Sequence, residues 1–131
     1  MSQTKSGHVV ANAVLLLLVA AGGLLMIGSA LLNVILMALG VGAPMPEPVD
    51  DFTMGQYVGR IAGLGWCVVG GAIAFVWCGI AAWRLLGGHP KARKTAIAAW
   101  VATLPACCCF PLAGYGIWSL TRPVVRDELD R

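Results

Sequence analysis

Charge is scarce in this sequence. Only 11% of its 131 residues are Asp, Glu, Lys or Arg, and 59% are hydrophobic; soluble domains carry roughly 25% charged residues. A water-soluble fold of this size could not cover so much apolar surface with so few charges. A bilayer removes the difficulty, because lipid becomes the solvent. The long apolar runs have no ionisable side chain at their middle. That excludes a proton relay, the intramembrane carboxylate a small multidrug pump needs, and a general base in lipid. Ser29, Thr103 and Ser119 have no base partner in sequence, so no enzyme is expected. C-x-x-C spacing is missing, and the two histidines, His8 and His89, stand at the edges of apolar runs. A structural zinc site or a thiol redox pair therefore has no support, and no cofactor is expected. There is no basic-aromatic array for nucleic acid, and no lipidation motif at Met1-Ser2 or in "RDELDR".

What is present is three long apolar stretches. They place spans at about 9–43, 59–85 and 95–120, each long enough against the ~20 residues a crossing helix needs. The first, at ~1.5 Å per residue, reaches roughly 50 Å against a hydrocarbon core of ~30 Å. It must tilt, bend near Gly22-Gly23, or project beyond the lipid. Its apolar character continues past the "GSA" at 28–30 to Ala43, which a cleaved signal peptide should not show. The expected fold is all-α: one membrane domain, a bundle of three transmembrane helices, the first unusually long and the third kinked at Pro105 and Pro111. Each of those prolines removes a backbone donor and bends or breaks its helix.

The connections set the orientation. The loop 44–58 carries Glu47, Asp50 and Asp51, with Pro44, Pro46 and Pro48 favouring an extended surface segment. The loop 84–94 carries Arg84, Lys91, Arg93 and Lys94 and no acid. Basic residues near span ends stay in the cytoplasm. An inner-membrane protein with a cytoplasmic N-terminus follows, and three crossings would put the charged tail 121–131 outside. A basic cytoplasmic loop can also touch anionic lipid.

The second span carries the clearest pattern. Gly59, Gly63, Cys67, Gly70, Ala74, Cys78 and Ala81 step by three or four and form one small-residue stripe. Small residues let helix backbones approach closely, which is how helices adhere in lipid. A period near 3.5 favours shallow, left-handed crossings. Ala98, Ala102 and Ala106 offer a shorter mate in the third span. Asn12, Val19, Met26, Asn33 and Gly40 form a heptad line in the first, where Asn33 calls for a partner across the bundle. Trp83, Trp100 and Trp118 lie toward span ends, as interfacial indoles do, and Trp66 and Trp77 lie deeper on one face.

The stretch "LPACCCFPLAGYGIW" holds Cys107, Cys108 and Cys109. Successive helical residues point ~100° apart, so three adjacent thiols cannot share one ion without unwinding. Small packing residues in a kinked helix is the main reading. A soft-ion pocket for Cu(I) or Hg(II), completed by Cys67 and Cys78, is the alternative. Pro105, Cys107, Cys108, Pro111, Gly116, Ile117, Trp118, Pro123 and Val125 resemble the C-terminal signature of small uncharacterised bacterial membrane proteins, which implies no assigned activity. Tyr115 and the shorter span-to-tail spacing depart from that pattern. "PACCCFPL" also looks like the vicinal-cysteine span of three-helix mercuric-ion transporters. That family keeps a cysteine pair in its first helix and another in its second loop; here the cluster is in the third span and the loop has none. The function expected is helix-mediated interaction or assembly, with the bilayer and other transmembrane helices (its own copies or a larger complex) as partners. A soft-metal transporter or a holin-like pore former is the alternative.

Overall fold

The structure, a computed structural model, describes residues 6–105 and 110–130. The described residues form five helices and no strand: α1 Gly7–Ala38, α2 Asp51–Gly87, α3 Ala92–Thr103, α4 Phe110–Thr121 and α5 Pro123–Leu129. α1 and α2 are long and apolar enough to cross a membrane, with mean hydropathy of 2.5 and 2.0 in their most apolar stretches. At ~1.5 Å per residue they are roughly 48 and 55 Å long. Their outer faces expose Leu17, Leu18, Leu25, Val69 and Val76.

α2 begins earlier than the prolines of the 44–58 loop imply. Pro44, Pro46 and Pro48 stay outside helix, but helix starts at Asp51 because Asp50 caps it. The Asp50 carboxylate accepts from the Thr53 N–H at 2.7 Å and from the Thr53 hydroxyl at 2.7 Å, while the Asp50 N–H donates to that hydroxyl at 3.0 Å. Two of the donors a helix start leaves unpaired are thus answered together. These bonds, the Thr53 hydroxyl foremost, hold the Asp50 carboxyl below its ordinary value. A depressed folded pKa means the cap's contribution is present above the ordinary carboxylate range of ~4 and is lost as pH falls through the lower folded value. Thr53→Val should return the Asp50 titration toward that range. A carboxyl carbon shift titration that is the same in both proteins would contradict the cap.

α1 and α2 run antiparallel and meet most closely at Gly23 and Gly71. A Cβ placed on Gly71 would stand 2.6 Å from the Gly23 carbonyl oxygen, and one on Gly23 2.5 Å from that of Gly71. Backbones can touch here only because neither residue has a side chain. α1 stays helical through Gly22-Gly23, so that pair marks a crossing and not a break. α2 stops at Gly88, which takes φ +66°. The His89 N–H then reaches the Arg84 carbonyl, the Gly88 N–H reaches that of Leu85, and Pro90 follows. This is the hydrogen-bond pair of a Schellman stop.

The 95–120 run is two helices and not one kinked span. α3 ends at Thr103, ahead of Pro105, and α4 carries Pro111 in its first described turn. The pair folds back on itself. Arg93, at the start of α3, donates from Nε to the carbonyl of Leu120, at the end of α4, at 3.0 Å. Its Nη1 reaches Asp130, just past α5, at 2.9 Å. The Ser6 N–H donates to Glu128 at 3.0 Å. Both described chain ends therefore lie at one end of the bundle, beside the α2–α3 connection. The expected placement of the tail opposite the N-terminus does not fit this geometry. The tail itself is ordered as α5, with Val125 and Leu129 buried.

Candidate functional site

The stripe on α2 divides at its middle. Gly70, Ala74, Cys78 and Ala81 are buried, Cys67 is half-buried, and Gly59 and Gly63 are exposed. α1 and α3 enclose the buried part. Cys78 and Ala81 share a core with Val9, Ala13, Leu16 and Ala20 of α1 and with Ala92, Ala96 and Ala99 of α3. The Arg84 guanidinium donates to the Thr95 hydroxyl at 2.9 Å, tying α3 to that side of α2. α3 is only 12 residues long, so its cover runs out after roughly 18 Å. Beyond it, a Cβ on Gly55, Gly59 or Gly63 would meet nothing within 4 Å. The spacing Gly55-x-x-x-Gly59-x-x-x-Gly63 therefore stands open on a helix whose small-residue face is buried farther along, at Gly70, Ala74, Cys78 and Ala81.

The packed half is pinned by a buried polar latch. Asn12, Trp100 and Ser119, from α1, α3 and α4, are each at most 1% exposed. The Trp100 indole N–H donates to Asn12 Oδ1 at 3.2 Å. Asn12 Nδ2 donates to Ser119 Oγ at 2.6 Å and to the His8 carbonyl at 3.0 Å. Ser119 passes its own proton to the Gly116 carbonyl at 3.1 Å. Every side-chain donor of this network finds an acceptor, so three helices are joined without a stranded polar atom among Asn12, Trp100 and Ser119. The Trp100 ring lies flat against Gly116, and any Cβ there would overlap the indole. Near the same end, His8 Nδ1 and the Tyr115 hydroxyl are 3.4 Å apart.

Other sequence-designated residues fall differently. Asn33 is exposed and donates to the Ser29 carbonyl of its own helix at 2.8 Å, and among the described residues it makes no bond across the bundle. Ala98 is exposed and Ala102 half-buried; the packed face of α3 is Ala92, Thr95, Ala96, Ala99 and Thr103, with Trp100 beside it. Trp100 belongs to the core, unlike Trp83, which is 80% exposed, and Trp118, at 50%. Trp66 and Trp77 face outward. Cys107, Cys108, Cys109 and Ala106 lie outside the described residues. Among the described residues no group of three His, Cys, Asp or Glu side chains could hold a metal ion.

Asn12, Gly23, Gly71, Gly116 and Ser119 carry the packing and were not singled out by the small-residue period. One signal was available: the adjacent pairs Gly22-Gly23 and Gly70-Gly71 are the two glycine doublets inside the long helices. Compared with known proteins, the chain matches no family model, no curated protein and no solved structure.

Proposed function

We infer that this chain is an integral membrane protein that crosses the bilayer twice, carries a re-entrant helical hairpin, and assembles with a second copy through the open half of the α2 stripe. The observation that carries the reading is the half-covered stripe: one continuous face is buried under α1 and α3 toward Ala81 and bare at Gly59 and Gly63.

The membrane part follows from lengths. On α2 the interval between Arg60 and Arg84 holds no charge. Its ~36 Å suits a ~30 Å hydrocarbon core. Each limb of the α3–α4 hairpin is ~18 Å, too short to cross, and the Arg93–Leu120 bond returns both limbs to one side. That side collects Arg84, Lys91, Arg93, Lys94, Arg122 and Arg126, and the opposite connection collects Glu47, Asp50 and Asp51. The basic side is cytoplasmic by the positive-inside rule. Both chain ends then face the cytoplasm. Asn33 lies ten residues along α1 from the Gly23 crossing and Arg60 eleven residues from Gly71 on the antiparallel helix, at about the same height. Asn33 is then an interfacial residue, where water meets its amide.

The assembly part rests on the Gly55, Gly59, Gly63 spacing, a pattern that lets two helices pack backbone to backbone in lipid. Copies inserted in the same orientation present that face to each other about a two-fold axis. Cysteine scanning in a cysteine-less background tests both parts. Single cysteines at Asp50, Lys91 and Val124 should label with an impermeant thiol reagent in intact cells at position 50 alone; labelling at 124 would restore a third crossing. A cysteine at Gly59 should form an intermolecular disulfide on mild oxidation, and Gly63→Leu in that protein should abolish it. Unchanged cross-linking with Gly63→Leu would place the stripe outside the contact.

A further inference from the structure

Among the described residues, the cytoplasmic end of the bundle gathers basic side chains from three separate stretches of chain, six in all (Arg84, Lys91, Arg93, Lys94, Arg122 and Arg126), against three acids, of which Asp127 is exposed and the other two are engaged. Asp130 is shared between Arg93 at 2.9 Å and Arg126 at 3.8 Å. Glu128 accepts the Ser6 N–H. Among the described residues Lys91, Lys94 and Arg122 make no ion pair, and all three are exposed. Arg122 lies instead with its guanidinium carbon 3.9 Å from the centre of the Trp118 ring. Tyr115 stands beside that ring, centroids 6.1 Å apart. Stacking on an aromatic face fixes a guanidinium plane and leaves its N–H edge for an acceptor. Pro123 turns the chain directly after Arg122, and the first turn of α5 leaves Val124 exposed. An open apolar groove of about 290 Å³, lined by Trp83, Leu86 and Gly87, lies at the same end of α2.

These features combine unpaired cations with exposed indoles and aliphatic side chains. A soluble anion would gain nothing from the aromatic and aliphatic part, whereas a phospholipid presents a charged headgroup above apolar chains. We propose that this end of the bundle binds the anionic phospholipids of the leaflet it faces. Lys91, Lys94 and Arg122 take the headgroup phosphates, Trp118 holds the Arg122 fork, and the Trp83–Leu86 groove receives an acyl chain. The proposal rests on the membrane reading above. It adds the headgroup charge the protein selects and the residues that select it.

Native mass spectrometry of the purified protein, released from micelles containing equimolar phosphatidylglycerol and phosphatidylcholine, tests it. The wild type should retain phosphatidylglycerol about five-fold over phosphatidylcholine, equivalent to about 1 kcal/mol. The Lys91→Gln, Lys94→Gln, Arg122→Gln triple variant should retain the two about equally while keeping its helix content by circular dichroism. Should the triple variant not fold, Arg122→Gln alone should at least halve the preference. Asp51→Asn, at the opposite end, should leave it unchanged. Equal retention by the wild type overturns the proposal, as does an undiminished preference in the folded triple variant. Displacement of the lipid by millimolar inorganic phosphate would also overturn it, by making this a soluble-anion site. The membrane reading has its own readout in carbonate extraction: a chain that pellets with membranes yet retains both lipids equally defeats this proposal alone.

Discussion

Alanine at position 71 is expected to pry α1 from α2, whereas alanine at position 63, eight residues away on the same helix, should leave that hairpin intact. The added group is one methyl in both cases. At position 71 it would stand 2.6 Å from the Gly23 carbonyl oxygen and 2.9 Å from Ile27 Cγ1. The first of these neighbours is backbone, which cannot rotate away, so the helices must separate or slide. Overpacking of this kind costs about 1–3 kcal/mol, and loss of close contact along the crossing adds to it. At position 63 nothing lies within 4 Å, and exchange of glycine for alanine favours helix by up to about 1 kcal/mol. Thermal unfolding in detergent should therefore show a clear fall for Gly71→Ala and no change or a small rise for Gly63→Ala. Gly23→Ala should match Gly71→Ala, because it presses on the same contact from the other side. Equal midpoints for all three variants would mean that α1 and α2 do not cross at this pair.

Asn12→Ala is expected to release the α3–α4 hairpin from α1. The substitution leaves the Trp100 indole N–H without its acceptor and removes the bond to Ser119 Oγ. An unmet buried donor costs about 1–3 kcal/mol. Hydrogen bonds between membrane helices average nearer ~0.6 kcal/mol because competing partners are found in the unfolded state, so a loss of about 1–2 kcal/mol is the expected total. Ser119→Ala should cost less, since Asn12 Nδ2 keeps the His8 carbonyl. The sharper measurement is a double-mutant cycle of Asn12→Ala with Trp100→Phe. A coupling of about 0.5 kcal/mol or more is expected for residues that touch. Strict additivity would show that the two side chains do not interact.

The two long helices were legible because their signal is local. Runs without charge and a stripe of small residues are properties of consecutive positions, and they hold whichever neighbour the helix acquires. Even there the sequence expectation starts the second span at 59, and α2 starts at Asp51. The three prolines of the 44–58 loop mask the signal of Asp50 and Thr53, whose spacing marks a cap. The 95–120 run shows the opposite weakness. Its prolines signal a disruption, but a bend and a full reversal have the same local signature. Only contacts such as Arg93 with Leu120, twenty-seven residues apart, distinguish them.

Composition by itself thus determined that the described residues are helical and that the 9–43 and 59–85 runs form helices long and apolar enough to cross a membrane; it gave the 95–120 run the same weight. Tertiary structure decided where the small-residue face of α2 is already occupied, which asparagine is buried, and that both described chain ends meet. The physical reason is that lipid and protein interiors are alike in apolarity. An apolar sequence therefore carries little record of which of its faces meets the bilayer and which meets another helix. Asn12 and Asn33 stand on one heptad line and read the same in sequence. The backbone of α3–α4 turns back over only one of them, and that one becomes the latch while the other faces outward.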